Sequence, residues 1–145
     1  MGGAVESFRT TAEAQARELL HAIDFAEGVI VSTIDRECEA LRAGRMLAAK
    51  ALRLRLRDAA KLYLDVTRAT RASLWTIEQL LPGTEVHLKQ CRAAFASLLR
   101  IELAVLASER AAAASDVPSS GAAKLRPAPA RWRRVRRRPP MRSAL

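Results

Sequence analysis

The chain has 145 residues, half of them hydrophobic but only 4% aromatic, with a formal charge of +10. That length suits one domain and excludes a TIM barrel, a doubly wound dinucleotide fold or a protein kinase, and six glycines with six prolines are too few for collagen-like repeats. No run approaches the roughly 18 to 20 apolar residues of a membrane-spanning helix: the longest, around Gly28-Val29-Ile30-Val31, is cut by Ser32, Thr33 and Asp35. Glu6 and Glu13 stand where a signal peptide needs positive charge and an apolar core. The expectation is a soluble cytoplasmic protein.

The charge divides unevenly along the chain. Residues 116–145 hold nine Lys or Arg against one Asp, together with five of the six prolines, whereas residues 1–115 hold 16 basic and 14 acidic side chains. The body is therefore nearly neutral. It is rich in Ala, Leu, Arg and Glu, which are strong helix formers, and an all-α fold accounts for it without strands.

Residues 1–12 are expected to be a flexible N-terminus, followed by a helical domain over 13–115. Over about 13–43, Leu20, Ile23, Ile30, Ile34, Cys38 and Leu41 recur at steps of three, four or seven, the stripe of an amphipathic helix, and Gly44 ends it. Over about 46–81, Leu52, Leu56, Ala59, Tyr63, Val66, Thr70, Ser73, Ile77 and Leu80 alternate steps of four and three in a coiled-coil-like seam that Thr70 and Ser73 weaken. Trp75 stands one step off that seam, at a position suited to an interface anchor or to partial burial against the first or third helix. Pro82-Gly83 makes a turn, with Thr84 as N-cap and Glu85 in the first turn. A third helix, about 84–114, carries Leu88, Cys91, Phe95, Leu98, Leu99, Val105 and Leu106, widened by Ile101 and Leu103. Three helices of about 45 Å each make an elongated antiparallel helical hairpin or three-helix bundle with coiled-coil-like packing. Leu54, Leu64, Leu103 and Trp75 remain on its flanks, where a partner chain or a homodimer would cover them.

Chemistry-bearing residues do not converge in the sequence. His21, His87, Cys38 and Cys91 are zinc-ligand types without a CxxC or HxxxH pairing, so no metal is expected and the cysteines read as reduced core thiols. Glu37 and Glu39, at i and i+2, cannot face each other on a helix and read as solvated rather than as an acid/base pair. The scattered glycines form no phosphate loop. The reading is a protein that is not an enzyme and takes no cofactor.

The sequence from Lys124 to Pro140 lacks apolar periodicity, and the whole of 116–145 reads as a disordered Pro/Arg-rich tail. Arg131, Trp132, Arg133, Arg134, Arg136, Arg137 and Arg138 set one aromatic among six arginines, the composition of a segment that contacts nucleic acid or another polyanion. A stretch of Arg, Pro and Ala is also what GC-rich coding produces under weak constraint.

The elbow Glu37-Cys38-Glu39-Ala40-Leu41-Arg42-Ala43-Gly44-Arg45 resembles that of FlgN-like flagellar export chaperones of α-proteobacterial type, small α-helical proteins of about this length. Lys61-Leu62-Tyr63 and the stretch from Phe95 to Ala107 are similar to the family's second and third helices, so the resemblance covers about residues 15–110. It implies a cytoplasmic chaperone that holds the helical C-terminal segments of flagellar hook-associated proteins and escorts them to type III secretion. On that likeness the client surface is the third-helix stripe of Phe95, Leu98, Leu99, Leu103 and Leu106, spaced as a helix-in-groove interface requires; the same stripe also suits an intramolecular core. The chain departs from the family where Ala111–Ala114 gives way to Pro118 and the basic tail instead of a continuing amphipathic helix. Two other functions fit the residues: a self-associating coiled-coil protein, and polyanion binding through the tail.

Overall fold

The computed structural model describes residues 3–116, in four helices: α1 (Gly3–Arg42), α2 (Met46–Ala72), α3 (Leu74–Leu80) and α4 (Thr84–Ser115). All elements among these residues are α-helical, as the periodicity predicts. The expected disordered tail falls almost wholly outside the described residues.

α1 is the central element. At 1.5 Å per residue its 40 residues span about 60 Å, and both α2 and α4 pack against it. Its inward stripe is Ala16, Ala26, Ile30, Ile34, Glu37 and Leu41. The helix begins at Gly3, so residues 3–12, expected as a flexible segment, are helical. Ala4, Glu6, Arg9 and Ala12 are good helix formers, and Arg9 pairs with Glu13 one turn on at 3.4 Å. No other element among the described residues covers this stretch: Val5 is 71% exposed and Phe8 78%.

Gly44 closes α1 with φ of 69°, in the left-handed region that favours glycine. Its N–H donates to Leu41 O at 3.1 Å and that of Arg45 to Ala40 O at 2.8 Å, the paired bonds of a Schellman stop. The chain then reverses into α2. The hairpin is close because alanines line it: Ala26, Ala40, Ala49 and Ala59 are all nearly inaccessible.

The expected single helix over 46–81 is two helices, broken at Ser73. Thr67 and Thr70 donate their hydroxyls to the carbonyls of Tyr63 and Val66, at 2.7 and 2.9 Å, the back-bonding that loosens a helix. The Ser73 N–H is then shared between Ala69 O and Thr70 O, both 3.2 Å away. α3 swings Ile77 into the interior while Trp75 stays 77% exposed, which corrects the partial burial expected for it.

No Cα of α2 comes within 8 Å of one in α4. The two are bridged by side chains over the surface of α1: the Tyr63 and Phe95 rings lie 5.2 Å apart and tilted by 48°, beside Ile30, Ile34, Cys38 and Leu106. The result is a tight α1–α2 hairpin with α4 laid along α1 as a third rod.

Candidate helix-binding surface on the fourth helix

α4 starts at the Pro82-Gly83 turn, where Gly83 has φ of 86°. Thr84 is expected to cap this helix; instead it is the first helical residue, buried, with its hydroxyl donated back to Leu81 O. The cap comes from the preceding helix: the Glu78 carboxylate accepts the N–H groups of Gly83 and Glu85 at 2.8 and 2.9 Å. Those bonds, the one from Glu85 foremost, hold the Glu78 carboxyl below its ordinary range.

The five residues assigned to a client surface do not share one. Phe95 and Leu106 are core residues, 6% and 1% exposed, and Leu99 is half-buried against them. Leu98 and Leu103 are exposed, but five residues of helix separate them by about 140° around the axis, on opposite flanks. The stripe is thus mainly intramolecular core, the alternative that its spacing also allowed.

A different row on α4 is uncovered. Ala94, Leu98, Ile101, Val105, Ser108 and Ala112 follow one another at steps of four, three, four, three and four, and all six are exposed. Ile101 is 55% exposed, and no position in the row carries charge. This is the spacing of a coiled-coil seam, apolar but for the small hydroxyl of Ser108, and it lies beside the core stripe on the same helix. Its spacing is present in the sequence, where the parallel core stripe conceals it.

α4 is fixed by ions as well as by packing. Glu37, expected to be solvated, has no exposed surface: its carboxylate accepts from Arg110 at 2.8 and 3.0 Å and from Arg53 at 3.3 Å, tying α1, α4 and α2 together. Hydrogen bonding to Glu37 raises the Arg110 pKa further. Arg42 and Glu109 add a second α1–α4 pair at 2.8 Å. Glu39 is exposed, as expected. The bound Glu37 carboxylate serves as a structural anion with both oxygens taken up by guanidinium groups.

Cys38 is buried, which pushes its thiol pKa up. Cys91 is only half-buried, and its Sγ lies 3.4 Å from Nε2 of His87 one turn earlier, a pairing that spacing alone would have disclosed. His21 is exposed on α1, and among the described residues no three His, Cys, Asp or Glu side chains gather as a metal site. A cavity of about 230 Å³ between α1, α2 and α4 is lined by Tyr63, Thr70, Leu88 and Cys91. The proposed polyanion contacts Arg131, Trp132, Arg133, Arg134, Arg136, Arg137 and Arg138 lie outside the described residues.

No helix among the described residues is long and apolar enough to cross a membrane. No protein-family model, no curated protein and no solved structure matches the chain.

Proposed function

We propose that the chain is a cytoplasmic helix-binding chaperone, which holds an amphipathic helical C-terminal segment of a flagellar hook-associated protein for type III export. The observation that carries the reading is the charge-free exposed row Ala94, Leu98, Ile101, Val105, Ser108 and Ala112. A helix laid along it would use anchors at i, i+3 or i+4, and i+7. Full burial of a leucine, isoleucine or valine is worth about 1.5 to 3 kcal/mol, and a micromolar complex needs about 8 kcal/mol net. Ala94 at one end of the row, and Ser108 with Ala112 at the other, are small enough to permit a close approach. The Glu37 ion cluster holds α4 rigid before the client arrives, which lowers the ordering cost of binding. The choice of a flagellar client rests on the resemblance of the elbow at Glu37–Arg45 and of the Phe95–Ala107 stretch to flagellar export chaperones.

The test is calorimetric titration of the full chain with the C-terminal helical segment of a hook-associated protein from the same cell. Leu98→Glu with Ile101→Glu is expected to weaken binding at least about 100-fold while leaving the helical ellipticity unchanged, since two anchors are lost. Phe95→Ala is expected to lower the thermal midpoint instead. Absence of a complex, or a double variant that binds as the parent does, overturns the reading. A dimer formed without the segment and dispersed by the same two substitutions would assign the row to self-association.

A further inference from the structure

Charge in the described body is segregated by helix. α1 carries eight acidic and four basic side chains, and α2 carries seven basic and two acidic. On the outer side of α2 the basic groups are mixed with large apolar ones. Ala49, Leu52, Leu56, Ala59 and Tyr63 pack into or against the core. On the far side Lys50, Arg57, Lys61 and Arg68 are exposed and enter none of the salt bridges among the described residues. Leu47, Leu54 and Leu64 stand among them, 83%, 60% and 52% exposed. At about 100° per residue, these seven side chains fall within an arc of about 100° around the helix. Asp58 and Asp65 border one edge of the arc.

Trp75 extends the arc beyond the break at Ser73. The Ser73 N–H still donates to Ala69 O at 3.2 Å, and the Ile77 N–H to Ser73 O at 2.9 Å, so the helical phase of α2 carries into α3. Ile77 turns inward, and Trp75, two residues before it, points about 160° away. That direction is the arc of the leucines and cations. From Leu47 to Trp75 the arc runs about 42 Å. The acidic axis α1 lies behind it, packed on the inner side of α2.

We propose that the outer side of α2, together with Trp75, docks on the surface of an anionic lipid bilayer without crossing it. Both kinds of side chain in the arc point to that partner. Lysine and arginine gain from the negative surface potential of an anionic leaflet, and their apolar stems lie along the acyl boundary while the charged heads reach the phosphates. Leucines enter the boundary between headgroups and acyl chains, and tryptophan is enriched at that depth. Double-stranded nucleic acid would engage the cations through its phosphates but give the leucines no apolar medium to enter. The sorting of charge between α1 and α2 orients the molecule, since the acidic helix then faces away from the anionic surface. The arc shares no residue with the exposed row on α4, so a client helix and a bilayer do not compete for the same side chains.

The test is co-sedimentation of the full chain with phosphatidylcholine vesicles, with and without phosphatidylglycerol, at about 0.1 M salt. Binding to the mixed vesicles only is expected. A cation near the surface is worth about fivefold in partitioning, so Lys50→Gln, Arg57→Gln, Lys61→Gln with Arg68→Gln is expected to weaken it about 600-fold. A leucine inserted to about half of full burial also contributes about fivefold. Leu47→Gln, Leu54→Gln with Leu64→Gln is therefore expected to weaken partitioning about 100-fold at an unchanged salt dependence. The sequence beyond Asp116 is the same in parent and variants, so these differences belong to α2. Ellipticity and thermal midpoint of both variants should match the parent, because the seven side chains are exposed. Trp75 gives a reading that needs neither variant. With Trp132→Phe it is the only tryptophan, and its emission is expected to shift to the blue on the mixed vesicles and to be quenched by brominated acyl chains. Absence of binding, equal binding to uncharged vesicles, a leucine variant that partitions as the parent does, or an unmoved Trp75 emission would each overturn the proposal. So would binding to a DNA duplex, in place of vesicles, that the cation variant loses and the leucine variant keeps.

Discussion

Glu37 is the residue on which most of the molecule converges, and its two arginine partners are unequal. Arg110 makes two short bonds to it and Arg53 one longer bond from a more exposed position. Removing the main partner of a buried carboxylate costs about 3 kcal/mol or more, whereas an exposed partner contributes under about 1 kcal/mol. Arg110→Ala is therefore expected to lower the urea midpoint much further than Arg53→Ala, at a constant denaturant slope. Glu78 supplies a prediction in pH. Its carboxyl is held below the ordinary value of 4.5 by the N–H groups of Glu85 and Gly83. The stabilisation is present in full above that value and is lost as pH falls through the lower folded one. Glu78→Gln should thus unfold at a lower temperature than the parent at pH 7, with the gap closing under acid below about pH 4. Neither role is legible in the sequence. The burial of Glu37 depends on arginines 16 and 73 residues away, and the reach of Glu78 depends on the break at Ser73.

At the scale of elements, the turn between α1 and α2 was readable because Gly44 ends an apolar stripe, and the structure gives the reason in its left-handed backbone. A Cβ there would meet no neighbouring atom within 4 Å, so Gly44→Ala isolates the backbone cost. It is expected to destabilise the chain by about 1 to 2 kcal/mol in chemical denaturation. The three stripes of α1, α2 and α4 were legible for the same reason: buried positions at helical period need no knowledge of the partner helix. Periodicity could not choose between two stripes on one helix. On α4 the row through Phe95 and Leu106 and the row through Leu98 and Ile101 both have coiled-coil spacing, and only the placement of α1 and the Tyr63 ring decides which one turns inward. The break at Ser73 was visible as a weakening of the seam, and became a boundary through hydroxyl bonds that compete with the helical ladder.

At the scale of the whole molecule, the body is an axis with two rods of unequal attachment, and charge sorted between the axis and one rod. The near balance of 16 basic and 14 acidic residues in the body conceals that sorting, which emerges only when each helix is counted separately. The axis also outruns its supports. Val5, Phe8 and Ala12 lie in the same angular sector as Ala16, Ala26, Ile30 and Leu41, so the first turns of α1 repeat the core-facing pattern where none of the described elements packs upon it. A lone helix of that length cannot overcome its own nucleation penalty in water; these turns exist as an outgrowth templated by the packed part of α1. Backbone amide hydrogens should consequently exchange with deuterium in a gradient, slowest around Ile34 and progressively faster toward Gly3, as a helix does when it melts from one free end. A uniform rate across α1 would mean instead that its N-terminal turns are sheltered in solution, and that in the working protein the uncovered end of the axis already has company.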